Sequence, residues 1–213
     1  MTQQAGRDAA LLVVDIQHGF IDAMDELPVP HAAEVIPIIN RLLPLFGVRV
    51  ASQDWHPPGH GSFASRHPGT RPFDQGDLGG VPQIYWPDHC VAGTRGAALH
   101  PDLSTHLIQA IFRKGMDPQI DSYSVFNDNA RRNPTGLQGY LTSLSVRRLA
   151  IAGLALDYCV RWSALDARRL LPDVGVMVVV DACRPVDTTT GEEALREMER
   201  AGVGLVTSAQ ILR

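Results

Sequence analysis

Six short apolar segments, rich in β-branched residues, recur along the chain. They span residues 10–14, 48–52, 110–113, 149–152, 176–180 and 204–207. Several are apolar at every position instead of alternating with polar residues, which is typical of strands whose two faces are both covered by helices. The pattern therefore predicts six buried strands.

Segments with helical spacing separate these strands. In the first, apolar residues recur three and four positions apart, at Val35, Ile36, Ile39, Leu42, Leu43 and Phe46. Residues 157–171 and 189–201 follow the same period, and residues 135–144 follow it more weakly. Because strands alternate with helices, we predict βαβ units, and hence an α/β fold with a parallel sheet and right-handed crossovers.

Two polar stretches interrupt this alternation. Residues 54–99 are rich in Pro, Gly, His and Asp and contain no convincing helix or strand, and residues 114–132 are polar with scattered aromatic residues. Long loops inside a compact domain are usually functional. Since both stretches follow predicted strands, we expect them to gather at the carboxyl ends of the sheet, where open α/β folds bind ligands.

Composition narrows the class of protein. A length of 213 residues predicts a single domain, residues 1–213. The chain has 19 Lys and Arg against 23 Asp and Glu and contains no basic block, which argues against nucleic-acid binding. Three cysteines favour a reducing compartment over a disulfide framework. The apolar start, residues 9–14, is too short for a signal-peptide core or a membrane span. We therefore expect a cytoplasmic protein that binds neither nucleic acid nor membrane.

Three residues with chemical potential stand where predicted strands end. Asp15 ends the first strand, Lys114 follows the third, and Cys159 lies where the fourth turns into a helix. A helix N-terminus and a nearby lysine favour the thiolate, and the free N–H groups there are candidates to hold an oxyanion. Taken singly, each has an ordinary structural interpretation, as do Cys90 and Cys183. Together the three predict a nucleophilic site in which Asp15 is the base, because no histidine accompanies the cysteine.

A second group of residues has the character of metal ligands. Asp54 and His56 alternate on an extended segment, so both side chains can face one side, and His89 follows in the motif WPDHC. A carboxylate and two imidazoles suit Zn²⁺, Fe²⁺ or Mn²⁺ in an accessible site. His60 and Ser62 are close enough in sequence to supply a fourth ligand or a hydrogen bond to a ligand.

Taken together, these segments resemble a known family. In order and spacing they are similar to the nicotinamidases, which are isochorismatase-like cysteine hydrolases, and the similarity extends over residues 11–208. The segments that carry it are VDIQHGFID, SQDWHPPGHGSFAS, IYWPDHCVAGTRGAALHP, FRKG, DSYSVF and GLALDYCV. The most specific are WPDHCV and the DWHP…HGSFAS segment, because the wider superfamily shares the Asp, Lys and Cys but mostly lacks the metal segment.

The resemblance implies a fold and a catalytic apparatus. The fold is a three-layer α/β/α arrangement around a parallel six-stranded sheet with strand order 3-2-1-4-5-6. The catalytic triad maps onto Asp15, Lys114 and Cys159. The oxyanion would be held by the backbone N–H groups of Ala155 and Cys159, with a cis peptide bond between Leu154 and Ala155.

The resemblance also implies a metal and a substrate pocket. One divalent ion, Zn²⁺ in preference to Fe²⁺ or Mn²⁺, would be bound by Asp54, His56 and His89. The fourth ligand is left open between Ser62, His60 and water. The aromatic residues that pack on a pyridine ring map onto Phe20, Trp86 and Tyr123.

The resemblance implies hydrolysis of nicotinamide to nicotinate and ammonia in NAD salvage, and also hydrolysis of pyrazinamide. The reaction would pass through a cysteine thioester, with the metal orienting the ring.

One alternative is an amidohydrolase acting on N-carbamoyl or ureido substrates without a metal; another is a non-catalytic module that binds a metal or a pyridine. A nucleotide-binding protein is disfavoured, because no G-x-G-x-x-G follows the first strand and no P-loop motif occurs. The oligomeric state stays open, and a homo-oligomer is compatible with the sequence.

Overall fold

The computed structural model describes residues 6, 8–22 and 26–212, and it is built on two β-sheets. The strands are β1 (Ala9–Val14), β2 (Val48–Asp54), β3 (Gln75–Leu78), β4 (Val81–Ile84), β5 (Ala110–Lys114), β6 (Arg148–Leu154), β7 (Gly175–Arg184) and β8 (Gly204–Val206). Six of them form one sheet in the order β5-β2-β1-β6-β7-β8, and every pair in it is parallel. Counted along the chain this is the order 3-2-1-4-5-6, so the predicted fold is confirmed.

Helices cover both faces of this sheet. They are α1 (His18–Ile21), α2 (Val35–Leu42), α3 (Leu137–Ser143), α4 (Arg161–Leu170), α5 (Thr188–Arg200) and α6 (Ser208–Ile211). The central strand β1 shows why the pattern is continuously apolar. Its Leu11 packs in the cluster that contains Ile39 of α2, and its Leu12 packs in the opposite cluster, with Leu141 of α3 and Met198 of α5. Because neighbouring residues point to opposite faces and both faces are buried, every position of β1 is apolar.

Three elements differ from the sequence-based expectation. The helix expected over 35–46 ends at Leu42 and continues as a 3₁₀ turn, Leu43–Leu45, because Pro44 has no N–H to continue the helix. The helix expected over 157–171 begins with a π-helical turn, Leu156–Val160, and α4 follows. The stretch 54–99 contains the hairpin β3–β4. Gly79 and Gly80 form its turn, and both have positive φ angles. The hairpin was not predicted, because the residues of β3 are mostly exposed and give no apolar pattern.

The two long polar stretches meet at the carboxyl edge of the sheet, as predicted. Asp15 directly follows β1, Asp54 ends β2, Lys114 ends β5, and Cys159 follows β6 within the π-helical turn. In a parallel sheet all strands end at the same edge, so four residues far apart in sequence become neighbours. None of the helices in the described residues is long and apolar enough to span a bilayer.

A buried carboxylate fastens the turn that carries Cys159. Asp157 is 2% exposed, and its carboxylate accepts hydrogen bonds from the backbone N–H of Val186 and Asp187, at 3.0 and 3.2 Å, and from the hydroxyl of Thr190 at 2.6 Å. These three donors lie between β7 and the first turn of α5. Asp157 therefore joins the π-helical turn to the next crossover.

We predict that Asp157→Ala lowers the free energy of unfolding by about 2–3 kcal/mol, because buried donors lose their acceptor. Urea unfolding followed by circular dichroism measures the change. Asp173→Ala, at an exposed aspartate in the turn after α4, is the matched control and should stay within about 0.5 kcal/mol of the parent chain. Equal effects of the two substitutions would contradict the assigned role of Asp157.

Candidate active site

Asp15 is held in a defined orientation at the end of β1. Its backbone lies in the left-handed region, with φ 49°, which is uncommon outside glycine. The hydroxyl of Ser52 donates to Asp15 Oδ1 at 2.6 Å and accepts from the Asp15 N–H at 3.2 Å. The other oxygen, Oδ2, has no hydrogen-bond donor among the described residues, although it lies 3.0 Å from Lys114 Nζ as an ion pair. Asp15 is therefore fully buried with one oxygen available to take a proton.

Lys114 is the centre of the site. Its side chain is completely buried, and Nζ lies 3.0 Å from Asp15 Oδ2, 2.5 Å from Asp54 Oδ1, 3.3 Å from Cys159 Sγ and 3.0 Å from the carbonyl of Ser122. Burial alone would lower the pKa of Lys114, but the charges of Asp15 and Asp54 outweigh it and raise that pKa well above its usual value. Lys114 is therefore an ammonium that joins the two carboxylates to the thiol.

Cys159 lies in the π-helical turn, close to Asp15. A carboxylate oxygen of Asp15 lies within 4.8 Å of Cys159 Sγ. Burial raises the pKa of the thiol well above its usual value; Lys114 lowers it, and Asp15 and Asp54 raise it further. Lys114 favours the thiolate, as expected, but burial and the two carboxylates outweigh it. The thiol form of Cys159 is therefore favoured, and a base is needed to remove its proton.

The turn before Cys159 also contains the residues expected to hold an oxyanion. The peptide bond between Leu154 and Ala155 is cis, as the resemblance implied. Both Ala155 and Cys159 line the same cavity. The other two cysteines, Cys90 and Cys183, are both buried. Burial raises the pKa of Cys183 to about 12 and also raises the pKa of Cys90. Both cysteines therefore agree with the structural interpretation.

Asp54, His56 and His89 come together as a second group. One donor atom from each lies within 4.8 Å of the others, and all three residues are buried. His56 Nε2 and His89 Nε2 lie 3.8 and 4.0 Å from Asp54 Oδ2. Their Nδ1 atoms lie against backbone carbonyls, at 2.9 Å from Gly115 and 2.8 Å from Pro87. A carbonyl at Nδ1 places the hydrogen there and leaves Nε2 as a free donor to a metal.

The electrostatics of this second group suit a divalent cation. Burial lowers the pKa values of His56 and His89 to about 4, so both imidazoles are neutral ligands at neutral pH. Gly115 is required for the arrangement, because its φ is +66° and a Cβ there would lie 2.4 Å from the His56 ring. A carboxylate and two neutral imidazoles fit Zn²⁺, Fe²⁺ or Mn²⁺.

The neighbouring His60 has both ring nitrogens engaged. Nδ1 contacts the Ser62 hydroxyl at 2.8 Å and accepts from the Ser62 N–H at 3.1 Å, and Nε2 lies 2.7 Å from the carbonyl of Asp117. In this arrangement His60 has no free nitrogen for a metal. These contacts disfavour His60 as the fourth ligand, which stays open between Ser62, His60 and water.

Cys159 and the trio Asp54, His56 and His89 line one cavity with aromatic walls, whose space is about 390 Å³ with its open mouth included. Phe20, Trp86 and Tyr123, the three aromatic residues expected to pack on a pyridine ring, all line it. The indole N–H of Trp86 donates to the Tyr123 hydroxyl at 3.3 Å, which fixes their relative orientation.

Residues 9–210 match the family described as Isochorismatase domain. The chain belongs to the isochorismatase family. It is 42% identical over 213 residues to a nicotinamidase of Acinetobacter baylyi, covering 100% of this chain and 98% of that protein. It is 45% identical over 206 residues to a nicotinamidase of Escherichia coli, covering 94% and 95%.

Solved structures of other isochorismatase-family proteins have the same fold. A nicotinamidase/pyrazinamidase of Acinetobacter baumanii superimposes with a TM-score of 0.93 at 40% identity, covering 98% of this chain and 100% of that one. An L. infantum protein in complex with nicotinate has a TM-score of 0.84 at 33% identity, covering 98% of each chain. A pyrazinamidase of Pyrococcus horikoshii in complex with zinc has a TM-score of 0.76 at 33% identity, covering 94% and 99%.

Sequence reasoning missed several residues of this isochorismatase-family site. Asp121 lines the cavity although only Tyr123 was singled out from the DSYSVF motif, and Tyr158 lines it beside the nucleophile. Ser52, which orients Asp15, is the last residue of the predicted strand 48–52. It carries no signal except its place two residues before Asp54 in SQD. The motif DSYSVF was a usable signal for Asp121, since it was already part of the resemblance.

We predict that Asp15→Asn accelerates alkylation of Cys159 while it impairs catalysis. Removing a carboxylate that raises the thiol pKa increases the thiolate fraction, so the iodoacetamide rate at pH 8 should rise roughly three- to tenfold. Amide hydrolysis should fall at least about 100-fold, because the base is lost. Peptide mass spectrometry and an ammonia assay measure the two rates.

The matched control for this prediction is Asp166→Asn. Asp166 is a buried aspartate on α4 that pairs with Arg169, away from the cavity. Its replacement should leave the alkylation rate unchanged. Slower alkylation in Asp15→Asn than in the parent chain would show that Asp15 does not raise the thiol pKa.

Proposed function

We propose that this protein hydrolyses nicotinamide to nicotinate and ammonia, the deamidation step of NAD salvage, and that it also deamidates pyrazinamide. One observation carries the proposal: Cys159, which Lys114 and Asp15 adjoin, lines the same aromatic-walled cavity as Asp54, His56 and His89. A nucleophilic group alone would equally suit an N-carbamoyl or ureido substrate. A pyridine amide is favoured because its ring suits the aromatic walls and its ring nitrogen is a good ligand for a borderline metal.

The named relatives support the same substrate class. Curated relatives that match nearly the whole chain are nicotinamidases, one solved structure holds nicotinate, and one holds zinc. The proposal takes residues 1–213 as one isochorismatase-like domain acting in the cytoplasm on a small-molecule substrate.

The first half-reaction forms a thioester. Asp15 takes the proton of the Cys159 thiol as the sulfur attacks the carboxamide carbon, since the thiol is protonated at rest. The negative charge that develops on the carbonyl oxygen is held by the backbone N–H groups of Ala155 and Cys159. Asp15 then gives its proton to the amide nitrogen, the carbon–nitrogen bond breaks, and ammonia leaves.

The second half-reaction restores the enzyme. Asp15 takes a proton from a water that attacks the thioester carbon, the carbon–sulfur bond breaks, and the proton returns to Cys159 as nicotinate leaves. Throughout, Lys114 holds Asp15 in place by an ion pair and lies against the sulfur that carries charge.

The remaining residues hold the ring. Asp54, His56 and His89 would hold the divalent ion, which supplies a Lewis-acid position for the ring nitrogen. Phe20 and Trp86 pack on the faces of the ring, and Tyr123 closes the mouth. Orienting the ring places the carboxamide over Cys159, and such positioning contributes to rate by removing rotational freedom.

We predict that the purified protein releases ammonia from nicotinamide and not from N-carbamoyl compounds, and that Cys159→Ala lowers this turnover at least about 1,000-fold because the nucleophile is lost. A coupled ammonia assay measures both. Cys183→Ala is the control, since that cysteine is buried away from the cavity, and it should retain turnover. Ammonia release from N-carbamoyl compounds alone would overturn the substrate class, and turnover retained by Cys159→Ala would overturn the mechanism.

We also predict that the ring nitrogen matters. Benzamide keeps the amide and the ring shape but lacks that nitrogen, so its kcat/KM should be at least about tenfold below that of nicotinamide, and chelation or His56→Ala should sharply lower nicotinamide hydrolysis. Steady-state kinetics with both amides, before and after chelation, measure this. Equal kcat/KM for benzamide and nicotinamide, or full activity after chelation, would mean that the metal does not position the substrate.

A further inference from the structure

Glu26 is a half-buried carboxylate near the cavity that the reaction described above does not use. Its Oε2 accepts from the backbone N–H of Cys90 at 2.8 Å. Two glycines from other segments shape the slot that holds its carboxyl group. A Cβ at Gly19 would meet Glu26 Oε2, and a Cβ at Gly96 would meet both carboxyl oxygens, in each case well inside van der Waals contact. The carboxyl group is therefore held by the shape of the slot as well as by its hydrogen bond.

The backbone of Cys90 lies between the two imidazoles of the metal-binding group. Cys90 directly follows His89 in the chain, and its carbonyl accepts from the backbone N–H of His56 at 3.2 Å. It is completely buried, and its φ of 46° lies in the left-handed region. Among the described residues, Glu26 is the only acceptor for the Cys90 N–H. Because a buried N–H without an acceptor is costly, Glu26 stabilises this backbone in its observed place.

On its other side, Glu26 is continuous with an apolar wall of the cavity. Leu27 and Val29 both line the cavity, and both are buried. Their backbone N–H groups donate to carbonyls of α1, at 3.2 and 2.8 Å. Residues 26–29 therefore form a wall segment that is fixed to α1, and the side chain of Glu26 joins this wall segment to the backbone of Cys90.

We propose that Glu26 is a positioning residue, which holds the wall segment and the backbone between His89 and His56 at a fixed separation around the ring of the substrate. The inference rests on the proposed function, because it assigns the wall segment and the two imidazoles to one bound ring. Glu26 does not itself line the cavity. It acts on the substrate only through the wall segment and the backbone of Cys90.

Steady-state kinetics of the Zn²⁺-loaded protein test this role. Glu26→Ala should raise KM for nicotinamide at least about fivefold and change kcat less than about threefold, because the ring is held less well while the nucleophile and its base are intact. Glu26→Gln should restore most of the loss, since its amide oxygen can accept from the same N–H. Glu193→Ala, at an exposed glutamate of α5, is the matched control and should behave as the parent chain does.

A double-mutant cycle with Gly96 tests the slot itself, without substrate or metal. Gly96 has no positive φ, so alanine suits its backbone, and the three nearest atoms that its Cβ would meet all belong to Glu26. Gly96→Ala should displace the carboxyl group and lower the melting temperature by roughly 3–8 °C. In the Glu26→Ala background the slot is empty, and Gly96→Ala should shift the melting temperature by less than about 1 °C.

Gly96→Ala also tests the positioning role with Glu26 still in the chain. It should raise KM for nicotinamide as Glu26→Ala does, because it moves the same carboxyl group. This second variant decides the question even where Glu26→Ala does not fold.

Three results would overturn the inference. Additive shifts of the melting temperature in the cycle would show that Glu26 does not occupy the slot. A fall in kcat at unchanged KM, or no kinetic change, would show that Glu26 does not position the substrate. Equal losses in Glu26→Gln and Glu26→Ala would contradict the part played by the hydrogen bond to Cys90. A parent chain that releases no ammonia from nicotinamide would overturn the proposed function instead, and the melting-temperature cycle would still decide whether Glu26 joins the wall segment to Cys90.

Discussion

A single buried ammonium holds the site of this protein together. Lys114 Nζ lies within 3.3 Å of groups from Asp15, Asp54, Cys159 and Ser122, and its side chain is closed to solvent. Asp15 and Asp54 are both buried carboxylates, and Lys114 is the cation that pairs with both. Without Lys114 their negative charges would repel each other with no buried cation to balance them. The parallel sheet satisfies this requirement because β1, β2 and β5 are adjacent and end at the same edge.

The ion pair with Lys114 also links the two halves of the site. Asp54 Oδ1 accepts a hydrogen bond from Lys114 Nζ, and Asp54 Oδ2 lies near Nε2 of His56 and of His89. One carboxylate therefore belongs to both the nucleophilic group and the metal-binding group. The imidazoles are in turn fixed by carbonyls of Gly115 and Pro87. Displacing Asp54 would therefore disturb Lys114 and the two imidazoles together.

The same crowding of charge sets the resting state of the nucleophile. A thiol close to a lysine and at the start of a helix is ordinarily acidic. Here burial and two carboxylates outweigh Lys114, and the thiol of Cys159 keeps its proton. Ser52 holds Oδ1 of Asp15, and Oδ2 of Asp15 lies 3.0 Å from Lys114 Nζ, so the carboxylate proposed as the base is held in place beside this thiol.

The fold class could be predicted from the sequence, and so could most of the residues proposed for the site. Continuous apolar segments such as residues 10–14 predicted strands buried on both faces. The ends of the predicted strands then pointed to Asp15 and Lys114. Both signals could be found because they depend only on the order of apolar and polar residues along the chain. The π-helical turn, the hairpin β3–β4 and the 3₁₀ turn at Pro44 escaped prediction, since they depend on local geometry that hydrophobic periodicity does not encode.

The pKa shifts and hydrogen-bond partners of the site depend on its three-dimensional arrangement. The raised pKa of Cys159 and the engagement of both nitrogens of His60 follow from burial and from contacts between residues 45 and 57 positions apart. Desolvation and Coulomb interactions act through space, so no spacing along the chain could reveal them.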